Sequence, residues 1–162
     1  MQPFYLTGLR VAGIQRNPAL LYSAQRSARR LALVISIAVH GAPYASASSR
    51  TALRFAESAL RLGHRIHRVF FYHDGVLAAA GQGVAPQDEE DLHAGWVRLG
   101  ESHGVELAVC IANALKRGVL DEAERDRYEK EAVTAHPAFA IVGLGQLIEA
   151  MTASDRFVTF AA

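Results

Sequence analysis

One cysteine, Cys110, occurs in 162 residues, directly after the apolar run Val105–Val109 (VELAV) and directly before the helix-competent stretch Ile111–Arg117. A thiol between the carboxyl end of a strand and the start of a helix meets unpaired backbone N–H groups and the positive end of the helix dipole, which favour the thiolate. Such a thiolate acts as a nucleophile or a sulfur carrier. The opposing reading is a small buried hydrophobe, cysteine being among the most buried residue types. His73 and Asp74 open the loop after another apolar run and offer a proton donor and an orienting carboxylate, against a reading in which Asp74-Gly75 only makes a turn. Tyr44, in the small-residue loop HGAPYASASS, either lines the same cleft or packs as an aromatic. Arg117, about two turns after Cys110, either raises the local positive potential or is a solvated helix-end cation.

Other chemistries lack their residues. A lone cysteine forbids an intramolecular disulfide and a multi-cysteine zinc or iron–sulfur cage, and points to a reducing compartment. His40, His64, His67, His93, His103 and His136 show no HExxH or other metal spacing, so no metal site is expected. Gly81-x-Gly83 and Gly143-x-Gly145 do not complete GxGxxG, and no GxxxxGK[ST] occurs, so no nucleotide cofactor is expected. A serine nucleophile lacks a GxSxG elbow.

The elements that position these residues follow from periodicity. Leu31–Val39 (LALVISIAV) reads as a buried strand running into the small-residue loop. Apolar residues then recur at three and four from Ser48 to Leu62, predicting an amphipathic helix with Ser48 or Ser49 as N-cap and Gly63 as its stop. His64–Tyr72 is a second strand. Asp88–His103 is a helix opened by acids and ended by Gly104, Val105–Val109 a third strand, and Asp121–Glu131 a solvated helix face. Phe139–Val142 is a short strand, Leu144–Met151 a helix and Arg156–Phe160 (RFVTF) a last strand. Strands alternating with helices predict an α/β domain, a mostly parallel sheet covered on both faces. Ligands gather at strand carboxyl ends in such sheets, which directs attention to the loops starting at His40, His73 and Cys110.

The chain is 51% hydrophobic and 20% charged, a balance that supports a packed core and excludes disordered or collagen-like chains. Residues 1–30 hold five Arg and no acid. They read as an extension outside the fold, with the composition of a transit peptide or a membrane-touching arm, and the domain is taken as residues 31–162. That remainder carries more acids than bases, so direct nucleic-acid binding is not expected. No apolar run reaches membrane-spanning length.

Four stretches together carry a resemblance: FFYHDGV (Phe70–Val76), APQDEEDL (Ala85–Leu92), HGVELAVCIANALKRGVLDE (His103–Glu122) and GLGQLIEAMTASDRFVTF (Gly143–Phe160). Over roughly residues 31–160 the chain resembles the DsrE/TusD family of bacterial sulfur-relay proteins. The resemblance implies a flavodoxin-like three-layer α/β/α fold with about five strands and a cytoplasmic sulfurtransferase that needs no cofactor. It also implies a heterohexamer with TusB/TusC-like (DsrH/DsrF-like) subunits. Cys110 matches the family's persulfide-bearing cysteine, loaded by a TusA-like donor and discharged to a TusE/DsrC-like acceptor. In one branch the sulfur supports 2-thiouridine formation at the tRNA wobble position; in the other it enters dissimilatory sulfur oxidation. GAPYASASS leans toward the first, and YHDGV with His136-Pro137 also suits the second. A non-catalytic assembly subunit is the competing reading.

Overall fold

A computed structural model describes residues 32–161. The Arg-rich residues 1–30 lie outside the described residues. The elements run β1 (Val34–Val39), α1 (Ser48–Arg61), β2 (Arg65–Phe71), a 3-10 segment (His73–Ala79), α2 (Leu92–His103), β3 (Glu106–Cys110), α3 (Ile111–Lys116), α4 (Glu122–Arg127), β4 (Phe139–Val142), α5 (Gly145–Thr152) and β5 (Arg156–Phe160). The expected α/β architecture is present: five strands in the order β4-β3-β2-β1-β5, every neighbouring pair parallel.

The order explains the layers. The chain steps from β1 through β4 in one direction, then returns across the sheet to place β5 on the far side of β1. Right-handed crossovers made in opposite directions put their helices on opposite faces. Thus α1 and α2 pack together on one face while α5 lies against β2 and β5. Central strands covered on both faces must be apolar almost throughout, which is why β1 reads VISIAV with five consecutive buried residues.

On the α1/α2 face the core is built from Ile37, Val39, Val69, Phe71, Leu107 and Val109, all essentially buried. Trp96 of α2 meets Phe71 edge-on, ring centroids 5.1 Å apart, and its indole N–H donates to Ser49 Oγ at 3.1 Å. Gly95 sits where the two helices touch, since a Cβ there would come within 2.5 Å of Leu53 Cδ2. The opposite face carries a polar element. Arg68 of β2 is 6% exposed and donates to Glu106 Oε2 at 2.7 and 2.8 Å, to the Gln146 carbonyl at 2.7 Å and to Glu149. A buried guanidinium is tolerated because its donors are paired.

Several boundaries differ from the sequence reading, each for a local reason. Ser48 and Ser49 do not cap α1. Ala47 holds the cap position with no side-chain bond, because Ser49 serves Trp96 and Ser48 Oγ pairs with Ser46 Oγ at 3.0 Å. Helix α2 starts at Leu92 rather than Asp88, since Asp91 caps it by accepting from the Ala94 N–H at 2.9 Å. β1 begins at Val34. The charged stretch after Asp121 is not wholly solvated, because Glu124 is buried against the body. Asp74-Gly75 is part of the 3-10 segment rather than an isolated turn.

Candidate functional site

Cys110 is the last residue of β3, paired with Val142 of β4, and simultaneously the N-cap of α3. Its side chain is buried, 1% exposed. The expectation that backbone N–H groups would hold the sulfur is corrected by the structure. Cys110 makes no side-chain cap bond, α3 is only six residues long, and the donor to Sγ is the side-chain amide of Asn113, Nδ2 to Sγ 3.3 Å.

Asn113 is held in turn. Arg117 Nη1 lies 3.3 Å from the Asn113 carbonyl and 3.4 Å from its Oδ1. Arg117 Nε donates to Asp74 Oδ1 at 2.7 Å. A continuous series therefore runs from the 3-10 segment to the thiol: Asp74, Arg117, Asn113, Cys110. Arg117 is the C-cap of α3, at the helix end as the sequence places it, and it is ion-paired with Asp74, its side chain 26% exposed. Asn113 was not singled out in the sequence. Its signal is spacing: three after Cys110 and four before Arg117 puts all three on one helix face.

The 3-10 segment is seated by an unusual backbone. His73 has φ 47, in the left-handed region. Gly75 N–H donates to the carbonyls of His40 (2.8 Å) and Tyr72 (2.9 Å). A Cβ at Gly75 would fall 2.1 Å from the Val39 carbonyl oxygen. Only glycine lets the segment cross the end of β1 so closely, and that crossing sets Asp74 facing α3. The His73 ring packs at 4.3 Å from Tyr72 and 5.3 Å from His40, centroid to centroid. Burial, and then the neighbouring His73 charge, hold the His40 imidazole below its ordinary value.

His40 and His73-Asp74 thus come after β1 and β2, and Cys110 ends β3, so the three lie at the carboxyl ends of adjacent strands, the edge where such sheets place their chemistry. Tyr44 is placed elsewhere. Its hydroxyl donates to the Glu90 carbonyl (3.3 Å) and accepts from the Leu92 N–H (3.2 Å), which secures the start of α2 and lines a cavity of about 170 Å³ with Pro43, Leu77 and His93. Among the described residues no group of three or more His, Cys, Asp or Glu is arranged to hold a metal, and no helix is long and apolar enough to cross a membrane.

A five-stranded parallel sheet clad by helices, with a single thiol at the carboxyl end of an inner strand, defines an α/β protein whose thiol chemistry rests on one residue. The chain belongs to the DsrE/DsrF-like family, whose profile matches residues 33–160. It is 42% identical over 125 residues to DsrE of Allochromatium vinosum, covering 77% of this chain and 96% of that protein. It is 44% identical over 124 residues to the sulfurtransferase TusD of Serratia proteamaculans (76% and 96%) and 46% over 125 residues to a sulfurtransferase TusD homolog of Pseudomonas aeruginosa (77% and 95%). The crystal structure of the YchN protein from E. coli superposes with a TM-score of 0.63 at 21% identity, over 80% of this chain and all of that one, and shares the fold.

Proposed function

We propose that this chain is a sulfurtransferase that carries sulfane sulfur on Cys110 as a persulfide. The observation that carries the reading is that a chain 41–46% identical to proteins named TusD sulfurtransferases has a single cysteine, so any thiol-borne sulfur in it must sit on Cys110.

The chemistry balances without an oxidant or cofactor. The Cys110 thiolate attacks the outer sulfur of a donor persulfide R–S–SH. A bond forms between Sγ and that sulfur, the donor S–S bond breaks, and the donor leaves as RS⁻. The outgoing step is the same displacement: an acceptor thiolate attacks the outer sulfur of Cys110–S–SH and Cys110 is released as thiolate. No second thiol in the chain is present to expel the cargo as an internal disulfide.

We assign the donor to a TusA-like carrier and the acceptor to a TusE/DsrC-like protein, with the sulfur destined for 2-thiouridine at the tRNA wobble position in the cytoplasm. The alternative is the DsrE-type route in sulfur oxidation; the similarity to DsrE of A. vinosum favours weighing it. TusB/TusC-like (DsrH/DsrF-like) subunits complete a heterohexamer. Exposed Leu144, the N-cap residue of α5, and Ile148 and Met151 within it, spaced four and three so that they share one side, supply a face for such a subunit to cover.

One observation favours the second reading, a non-catalytic subunit: Cys110 is buried in the single chain. Intact-mass spectrometry decides between them. The wild type and Cys110→Ser, each in the assembled complex, are exposed to a sulfane-sulfur donor and then to the acceptor. Gain of one sulfur by the wild type alone, and its loss on adding acceptor, is the expected result; an unmodified Cys110 would leave the structural reading standing.

A further inference from the structure

The amide of Asn113 can face a sulfur in two ways, and they have opposite electrostatic consequences. With Nδ2 toward Sγ it donates, and a donor stabilises the anionic form of its acceptor. With Oδ1 toward Sγ it presents a lone pair to developing negative charge. An unrestrained amide on a helix flips between the two at little expense. Here it is restrained. Arg117 carries only donors, so its Nη1, 3.4 Å from Asn113 Oδ1, fits the oxygen and rejects the NH₂. Arg117 is anchored by Asp74, 43 positions earlier in the chain, through Nε at 2.7 Å. The anchor itself is fixed by the left-handed backbone at His73 and by the Gly75 crossing of β1.

We propose that Asn113 is a further catalytic residue of the thiol chemistry, donating to Cys110 Sγ in its thiolate and persulfide states, and that Arg117 and Asp74 are positioning residues that lock the amide in the donating orientation. This deepens the sulfur-carrier reading and rests on it for its biological purpose. The physical content, a polarised thiol, is testable without any sulfur donor.

The experiment follows alkylation of Cys110 by iodoacetamide against pH in the folded full-length chain, for wild type, Asn113→Leu, Arg117→Met and the double variant. The alkaline plateau reports access to the buried thiol, and the midpoint reports thiolate formation, so the two are separated in one profile. Asn113→Leu is expected to displace the profile to higher pH and slow the reaction at neutral pH about tenfold, the scale of one hydrogen bond to a charged group. Arg117→Met should displace it in the same direction. Because Arg117 acts through the amide, the double variant should be no slower than Asn113→Leu alone. Asn113→Asp, of the same size but without the donor, provides a second variant should leucine disturb the fold, and should displace the profile further. An unchanged midpoint in both Asn113 variants with wild-type thermal stability overturns the assignment. Additive effects in the double variant would show that Arg117 acts as a charge on the sulfur, and would overturn its positioning role. Persulfide loading of the same set by intact mass separates the two levels: if the wild type never gains sulfur while the variants still show the displaced profiles, the carrier reading is refuted and the polarised thiol stands.

Discussion

Arg117 and Asp74 meet between the end of α3 and the 3-10 segment, Nε to Oδ1 2.7 Å, and so join two strand-end loops into one site. The Asp74 side chain is 60% exposed, and an ion pair so open to water contributes at most about 1 kcal/mol. Asp74→Asn should therefore leave the urea midpoint almost unchanged while slowing sulfur loading of Cys110 several-fold. A large stability loss with normal loading would make the pair a structural clasp.

Ser49 lies inside α1, fully buried, and its hydroxyl is the partner of the Trp96 indole N–H. Ser49→Ala strands that donor in the core, and the expected loss is about 1–3 kcal/mol in chemical denaturation. Trp96→Phe removes donor and ring volume together; the double variant should lose less than the sum of the two singles.

Acid sensitivity is expected from the α5 face. The His67 hydrogen bond, followed by the bond and charge of Arg68, outweighs burial and holds the Glu149 carboxyl below its ordinary 4.5. Burial alone would lower Arg68, but Glu106 and Glu149 outweigh it and raise its value. A carboxylate with a depressed folded-state value binds fewer protons folded than unfolded, so its stabilisation is present above pH 4.5 and is lost as pH falls through the folded value. Denaturation midpoints followed downward from neutral pH should fall in that window for the wild type and less steeply for Glu149→Gln. Equal slopes would show that Glu149 is not linked to folding.

His40 acts in a higher window. Its folded-state value is lowered from 6.5, by burial first and then by His73, so the unfolded chain takes the proton more readily. Stability should decline as pH drops below 6.5 toward the lowered value and stay level above it. His73→Gln removes the second cause and lets the folded-state value rise toward 6.5, so the decline should still begin near 6.5 but be smaller and level off at a higher pH.

The exposed side of α5 predicts assembly behaviour. Ile148 is 60% exposed, so Ile148→Asp should change stability of the single chain by less than about 0.5 kcal/mol. Size-exclusion chromatography with the TusB/TusC-like subunits should show loss of the complex. Normal assembly would place the interface on another face.

Much of the architecture was legible because it depends on neighbours in sequence. The sequence pattern marks β5 as Arg156–Phe160 and β4 as Phe139–Val142, the bounds the strands have in the structure, since alternating and β-branched runs specify strands locally. Gly104 ends α2 in the left-handed conformation as its type predicts. Helix starts are less legible in sequence. At Ser48 and Asp88 capping chemistry was present in the sequence, but which hydroxyl or carboxylate caps depends on what else claims it. Trp96 claims Ser49, from 47 positions away.

The chain by itself determined that there is one thiol, that it stands between a strand and a helix, and that strands and helices alternate around it. Only the tertiary structure decided which groups meet that thiol. The Asp74–Arg117 pair exists because β2 and β3 are adjacent parallel strands whose carboxyl ends share an edge, and because Gly75 lets the 3-10 segment pass within reach of β1. The burial of Arg68 depends on α5 crossing back over the opposite face, which brings Gln146 and Glu149 to a strand some eighty positions earlier. Periodicity reports which face of an element is apolar; it carries no information about which distant polar groups that face will bring together.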